Sequence, residues 1–292
     1  MWQALVRNWL MGTARQTLRQ AATHAASGAM HQAGPTAGEQ IPPADTPLPV
    51  CHVGLVFALG IEAGGLVDRL SGVIRTEGSG FVAREGGLNG RRLVLVESGV
   101  GRAAAEQATQ ALILGHRPRW VISTGFAGGL HESIARGDIL MADQIIDTSE
   151  RRLDIDLMLD RESLAATRHV HIGRLLTTDR VIADPKEKLS LGKRFAALAV
   201  DMETMGVADI CRREKIRFLS VRVISDPLDH ALPDDIDYLA KQRTTAGRLG
   251  AAAGAIFRRP GSLKDMWQLK EDALLASERL AKFLAGVIAQ LS

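Results

Sequence analysis

Three carboxylates carry the chemistry that this chain can do. Glu62 follows the apolar run VGLVFAL (53–59), Glu203 closes the segment LAVDME, and Asp226 ends the run FLSVRVIS (218–225). Each has a plain structural explanation on its own. Glu62 and Glu203 fall where first turns of helices are expected, and a carboxylate there meets the positive end of the helix dipole. Asp226 precedes Pro227, and Asp at an N-cap with Pro at N1 is a common way to start a helix. Brought to one rim they mean more, because cleaving a glycosidic bond through an oxocarbenium-like transition state requires separate acid and base groups around one sugar.

Glycine turns give a second cue. TGFAGGL (124–130) places Gly125, Gly128 and Gly129 at the end of an apolar run, where glycine lets the backbone approach a ligand closely. SGVG (98–101) leads into a helical segment and can present backbone N–H groups to an anion or a polarised water. Neither turn is GxGxxG or GxxxxGK[ST], so dinucleotide and P-loop chemistry are not supported.

The elements that must position these groups are regular from Val53 onward. Short runs rich in Val, Ile and Leu, namely VGLVFAL (53–59), RLVLVES (92–98), RWVISTG (119–125), DILMADQII (138–146), HIGRLLT (171–177) and FLSVRVIS (218–225), alternate with helical segments around 62–71, 102–115, 203–214 and 234–257. A long amphipathic segment spans 262–291. Near-continuous apolar strands separated by helices predict a single α/β domain with a central mixed, mostly parallel twisted sheet flanked by helices. Ligands in such sheets bind beyond the carboxyl ends of the strands, and that is where all three acids fall.

The domain boundary is placed after residue 48. Residues 1–48 have no acidic residue before Glu39, carry Trp2, Leu5, Val6, Trp9 and Leu10 at helical spacing, and continue into an Ala-, Gly- and Pro-rich stretch. They read as an amphipathic helix with a flexible linker, and residues 49–292 as the catalytic domain. The helix has two readings, one that docks on its own domain or a partner subunit and one that makes peripheral membrane contact through residues 1–24. The modest charge favours docking. With 46% hydrophobic and 24% charged residues the composition is ordinary for a globular protein, and a net charge of +3 with 4% aromatics gives no footprint for nucleic acid. Cys51 and Cys211, with no CxxC, read as free thiols in a reducing, cytoplasmic compartment. His169 and His171 would share one face of a strand, which alternation alone produces, and no metal or other cofactor is expected.

The order of the pieces VGLVFALGIEAGGL, SGVGRAAA, ISTGFAGGL, RGDIL, TTDRVI, VDMETMGVA and VISD resembles the nucleoside phosphorylase/nucleosidase superfamily. It is most similar to the methylthioadenosine/S-adenosylhomocysteine nucleosidases and the hopanoid-associated nucleoside phosphorylases. The pairing of VDMET with VISD is the specific part, and the resemblance spans roughly residues 51–230. It implies a homo-oligomeric enzyme, a dimer or a trimer or hexamer, that acts on a small purine nucleoside. It also implies roles: Glu62 activates the attacking water, Met202 packs on the sugar, Glu203 binds the 2′- and 3′-hydroxyls, and Asp226, oriented by Ser225, protonates N7. Phe126, Ala127 and Gly128 line the substrate, and backbone groups near Val181 and Ile182 read the base. Physics suits these assignments. A carboxylate is the natural acceptor for two adjacent hydroxyls, and an acid that protonates a leaving base near neutral pH must hold its proton more tightly than an ordinary carboxyl, which burial beside the purine can provide.

The nucleophile is water or phosphate. Phosphorylases of this superfamily hold phosphate with arginines, but LGIEAGG has no Arg, Ser123 stands before the glycine turn, and Phe126 sits where a hydroxyl would bind phosphate. A dianion without guanidinium partners is costly to desolvate, which favours hydrolysis. Arg102, Arg180 and Arg222 are the candidates for an anion site, and solvated or structural charge pairs are their alternative. The tail DPLDHALPDD and the segment RRPGSLKDMWQL resemble the hopanoid-associated group, which keeps a phosphorylase acting on adenosylhopane-like substrates as the alternative. A nucleoside-binding protein without turnover is the third reading, since a fold alone does not establish catalysis.

Overall fold

The computed structural model describes residues 51–78, 80–232 and 262–291. The expectations for residues 1–48 and for a helix over 234–257 lie outside the described residues. In chain order the elements are β1 (Val53–Phe57), α1 (Gly60–Val67), β2 (Ser71–Gly78), β3 (Phe81–Leu88), β4 (Arg91–Glu97), α2 (Arg102–His116), β5 (Trp120–Gly129), β6 (Ile139–Asp147), β7 (Arg152–Asp154), α3 (Arg161–Ala166), β8 (Val170–Thr177), α4 (Pro185–Phe195), β9 (Ala199–Asp201), α5 (Thr204–Glu214), β10 (Arg217–Asp226) and α6 (Ser262–Gln290).

The strands form one mixed sheet in the order β10-β6-β8-β9-β5-β1-β4-β3-β2, with β7 on β6. Its centre follows the apolar runs: β1 lies parallel to β4 and β5, β5 lies parallel to β10, and β8 lies parallel to β6 and β9. Because β10 also pairs with β5, the strands β5, β10, β6, β8 and β9 close on themselves. Antiparallel pairings are as numerous as parallel ones, through β2–β3, β3–β4, β6–β10, β5–β9 and β6–β7. The departure from a mostly parallel sheet has a simple cause. The edge strand β2 is largely exposed and polar, so it shows no apolar run, while β7 and β9 are only three residues long.

Strand β1 is buried at every position, as are four consecutive residues of β4, which is what a sheet covered on both faces requires. One apolar cluster spreads across Leu55, Leu93, Ile122, Leu140, Leu175 and Val221 and continues into Leu280, Leu284 and Ile288 of α6. Each such side chain contributes on the order of 1.5–3 kcal/mol by leaving water. The C-terminal helix is therefore part of the domain. It also reaches the first acid. Ser277 Oγ donates to the carbonyl of Glu62 at 3.1 Å and accepts from the N–H of Gly65 at 3.0 Å. A Cβ on Gly65 would stand 2.9 Å from the Ser277 carbonyl oxygen, so the glycine in GIEAGG is what lets α6 press on the turn that carries Glu62.

Among the described residues no helix is long and apolar enough to cross a membrane. Cys51 and Cys211 are both buried free thiols.

Candidate active site

Strands β1, β5, β8, β9 and β10 end at one cleft. Its walls include Glu62, Phe126, Ala127, Gly128, Val181, Ile182, Met202, Glu203, Ser225 and Asp226, so the structure brings together every residue proposed above for the catalytic and substrate-binding roles. A larger cavity of about 530 Å³ lies at the amino ends of β6 and β8 against α6. It is the wrong end of the sheet for an α/β ligand site, and it lacks the three converging acids.

Glu62 is the third residue of α1. Its Oε2 accepts from the N–H of Leu59 at 2.8 Å, the return half of a capping box. The structural explanation for this acid is thus real, but incomplete. Its Oε1 reaches across to the N–H of Phe126 at 2.9 Å, and the carboxyl is buried. Burial raises its pKa, opposed by these backbone N–H groups and by the charge of Arg222. Gly125 explains how the strand comes so close: it sits at φ +148°, and a Cβ there would stand 2.8 Å from Glu62 Oε1 and 2.9 Å from Arg222 Nη1.

Glu203 stands at the N-cap position of α5 without capping that helix through its side chain. Its Oε1 accepts instead from the N–H of Gly101 at 2.8 Å, the residue before α2. The anion held by the SGVG turn is therefore the protein's own carboxylate. Burial pushes the Glu203 pKa up, and the neighbouring Asp201 charge pushes it further. Its Oε2 accepts from the N–H of Met202 at 3.3 Å, so each oxygen has one protein donor and retains a second lone pair, as binding two adjacent hydroxyls requires.

Asp226 departs from its expected cap role. No helix begins at Pro227: the chain turns at 228–229, where His230 N–H donates to the Pro227 carbonyl at 3.1 Å. Its Oδ1 accepts from Ser225 Oγ at 2.6 Å, and its Oδ2 accepts from Lys188 Nζ at 2.7 Å. A Cβ on Gly128 would stand 3.0 Å from Oδ2, so the second glycine of the turn leaves room for this acid.

The structure does not bring the three arginines together. Arg102 lies outside the cleft, bonded to Glu106 at 3.1 Å and Asp209 at 2.7 Å, with Asp147 at 3.6 Å. Arg222 is fully buried and points its Nη2 at Asp201 Oδ2 at 2.6 Å, Ser123 Oγ at 2.7 Å and Thr204 Oγ1 at 2.6 Å. Both are engaged in ion pairs with acidic side chains of the protein, and the Arg222 charge also acts on Glu62. Arg180 does line the cleft and is ion-paired with Glu187.

Thr204 and Lys188 are positions that sequence reasoning passes over, and for Asp201 and Ser123 it gives no structural role. Asp201 anchors the wall under Met202 and Glu203, since its Oδ1 accepts from Thr177 Oγ1 at 2.8 Å and its Oδ2 from the N–H of Thr204 at 3.0 Å. Replacing Arg222 with Met leaves that buried carboxylate without its cation. The expected result is a loss of about 3–5 kcal/mol in stability, read as a lower denaturant midpoint.

The histidines of HVHIG have a structural role. His169 Nδ1 and His171 Nε2 each lie 2.9 Å from one oxygen of Asp138, and no group of metal-ligating side chains is found among the described residues.

Residues 52–258 match the family described as "Phosphorylase superfamily". The chain is 27% identical over 212 residues to the 5′-methylthioadenosine/S-adenosylhomocysteine nucleosidase of Shewanella loihica, an alignment that covers 65% of this chain and 92% of that relative. Among solved structures, the fold is similar to the enzyme of the same name from Neisseria meningitidis in complex with methylthio-immucillin-A, with TM-score 0.64 and 22% identity over 83% of this chain and 100% of that one. It is also similar to futalosine hydrolase of Helicobacter pylori, with TM-score 0.63 and 18% identity over 83% and 99% of the two chains.

Proposed function

The chain belongs to the phosphorylase superfamily, and on that premise we propose that it hydrolyses the N-glycosidic bond of a 5′-modified adenosine and releases adenine. The observation that carries this reading is the convergence of Glu62, Glu203 and Asp226 on one cleft, each held by a different element. Relatives named for methylthioadenosine and S-adenosylhomocysteine support a 5′-thio substituent, and the apolar Leu59 and Leu232 on the cleft wall suit such a group.

In the reaction, Glu203 accepts hydrogen bonds from the sugar hydroxyls and Met202 packs beside the ring. As the bond from C1′ to N9 breaks, its electron pair passes to the purine, and N7 takes a proton from Asp226. A water attacks C1′ and gives up a proton to Glu62. The products are adenine and the free sugar. Hydrogen bonds and charges placed before the reaction favour the charge that develops on the sugar, and that difference between ground and transition state lowers the barrier. No cofactor is required.

Water is preferred to phosphate because the guanidinium of Arg222 is turned to Asp201, Ser123 and Thr204, and a phenyl ring stands at Phe126. The phosphorolytic alternative rests on Arg180, the cation on the cleft wall. Chromatography of reactions with methylthioadenosine, 5′-deoxyadenosine and adenosine tests the reading. Adenine is expected from the 5′-modified nucleosides, and its absence from all three would overturn it.

A further inference from the structure

Lys188 is buried at a position where its helix predicts a solvated side chain. It sits on α4, a helix whose sequence PKEKLSLGKRF is largely polar, yet its side chain is completely buried. Burying an ammonium is costly unless it is fully paired. Its three N–H donors meet three acceptors: Asp226 Oδ2 at 2.7 Å, the His230 carbonyl at 2.9 Å and the Pro227 carbonyl at 3.2 Å. The turn after β10 therefore folds around this one cation, and the cation touches the acid assigned above to the purine.

We propose that Lys188 is the positioning residue for Asp226, fixing one carboxylate oxygen and holding the proton that Asp226 hands to the purine. This rests on the reading of Asp226 as the proton donor. Lys188 Nζ, at hydrogen-bond distance from Oδ2, is a proton source for the carboxylate as well as its partner. In the reaction the Asp226 carboxylate takes a proton from Lys188 Nζ and hands it on to N7. The carboxylate ends unchanged, the lysine ends as a neutral amine, and the protonated purine leaves as neutral adenine once the bond to N9 has broken. The proton released by the attacking water goes to Glu62 and from there to solvent, and the ammonium is restored from solvent through Asp226 once the products have left the cleft.

Other charged groups surround the pair without competing for Oδ2. Ser225 holds Oδ1. Glu187 is ion-paired with Arg180, and Asp184 caps α4 through Glu187 N–H. His230, Asp229 and Arg136 lie near the turn, and burial, followed by the Arg136 charge, lowers the His230 pKa.

The test is adenine release as a function of pH by wild type, Lys188→Met, Lys188→Gln and Asp226→Asn, with circular dichroism at each pH. Relative to wild type, Lys188→Met is expected to lose about 10²-fold at about pH 8 and less than about 10-fold at about pH 5, where a carboxyl can carry its own proton. Lys188→Gln, which keeps a donor for Oδ2 but no exchangeable charge, is expected to follow the same curve and decides the matter if Lys188→Met does not fold. A loss equal at all pH values, no loss, or failure of both variants to fold would overturn the inference in favour of a purely structural pair. Such an outcome leaves the proposed function standing as long as Asp226→Asn is inactive. An active Asp226→Asn would instead remove Asp226 as donor and sink both.

Discussion

Replacing Asp226 with Asn is expected to lower the rate of adenine release by about 10²–10⁴-fold, the usual contribution of a general acid. The substitution keeps shape and volume, and the amide oxygen can still accept from Lys188 Nζ. What it removes is the route for a proton to N7, so the purine must leave as an anion. The loss should fall on kcat, because the sugar contacts at Glu203 and Met202 are untouched, and an interaction made only in the transition state lowers kcat rather than raising KM. Steady-state kinetics with chromatographic detection checks it. A fall of less than about 10-fold would be too small for this role.

Replacing Glu62 with Gln is expected to cost a similar 10²–10⁴-fold, again approximately the worth of one proton transfer, but with a different signature. Glu62 accepts from two backbone N–H groups, Leu59 and Phe126. A glutamine has one acceptor oxygen and must turn its NH₂ toward the other donor, so a stability loss of about 1–3 kcal/mol should accompany the kinetic one. The pH dependence separates the two effects. Burial raises the pKa of Glu62, and only the ionised form can take a proton from water. Wild-type activity must therefore fall as pH drops through that raised value, at higher pH than an ordinary carboxyl would dictate. The residual activity of the Gln variant should lack this acid limb. If the limb persists, another group is the base.

The legible part of the fold is what burial writes into sequence. Residues 53–59, 92–98 and 218–225 read as strands because both of their faces are covered, and the glycine turns and acids beyond their ends mark the rim. Glu62, Glu203 and Asp226 stand out by their position relative to those strands. Illegible are features whose cause lies on another element. Lys188 sits between Lys186 and Lys193 on a polar helix, and nothing in that pattern tells a buried lysine from a solvated one. Asp226 before Pro227 reads as a helix start, but the turn that follows bends its carbonyls to Lys188 instead. Arg222 sits between valines on a strand, which predicts burial; only the fold shows that Asp201 is its partner. The edge strand β2 escapes the pattern because one side faces water and its residues are polar.

The convergence of acids on a cleft without a guanidinium committed to phosphate leads to one central claim, that water is the nucleophile. The direct measurement is turnover of methylthioadenosine in heavy-oxygen water, with and without inorganic phosphate, followed by mass analysis of the sugar. The account predicts equal adenine release in both buffers and a free sugar carrying one heavy oxygen at C1. Release that requires phosphate, with a sugar 1-phosphate as product, would contradict it and assign Arg180 the role here denied to the arginines.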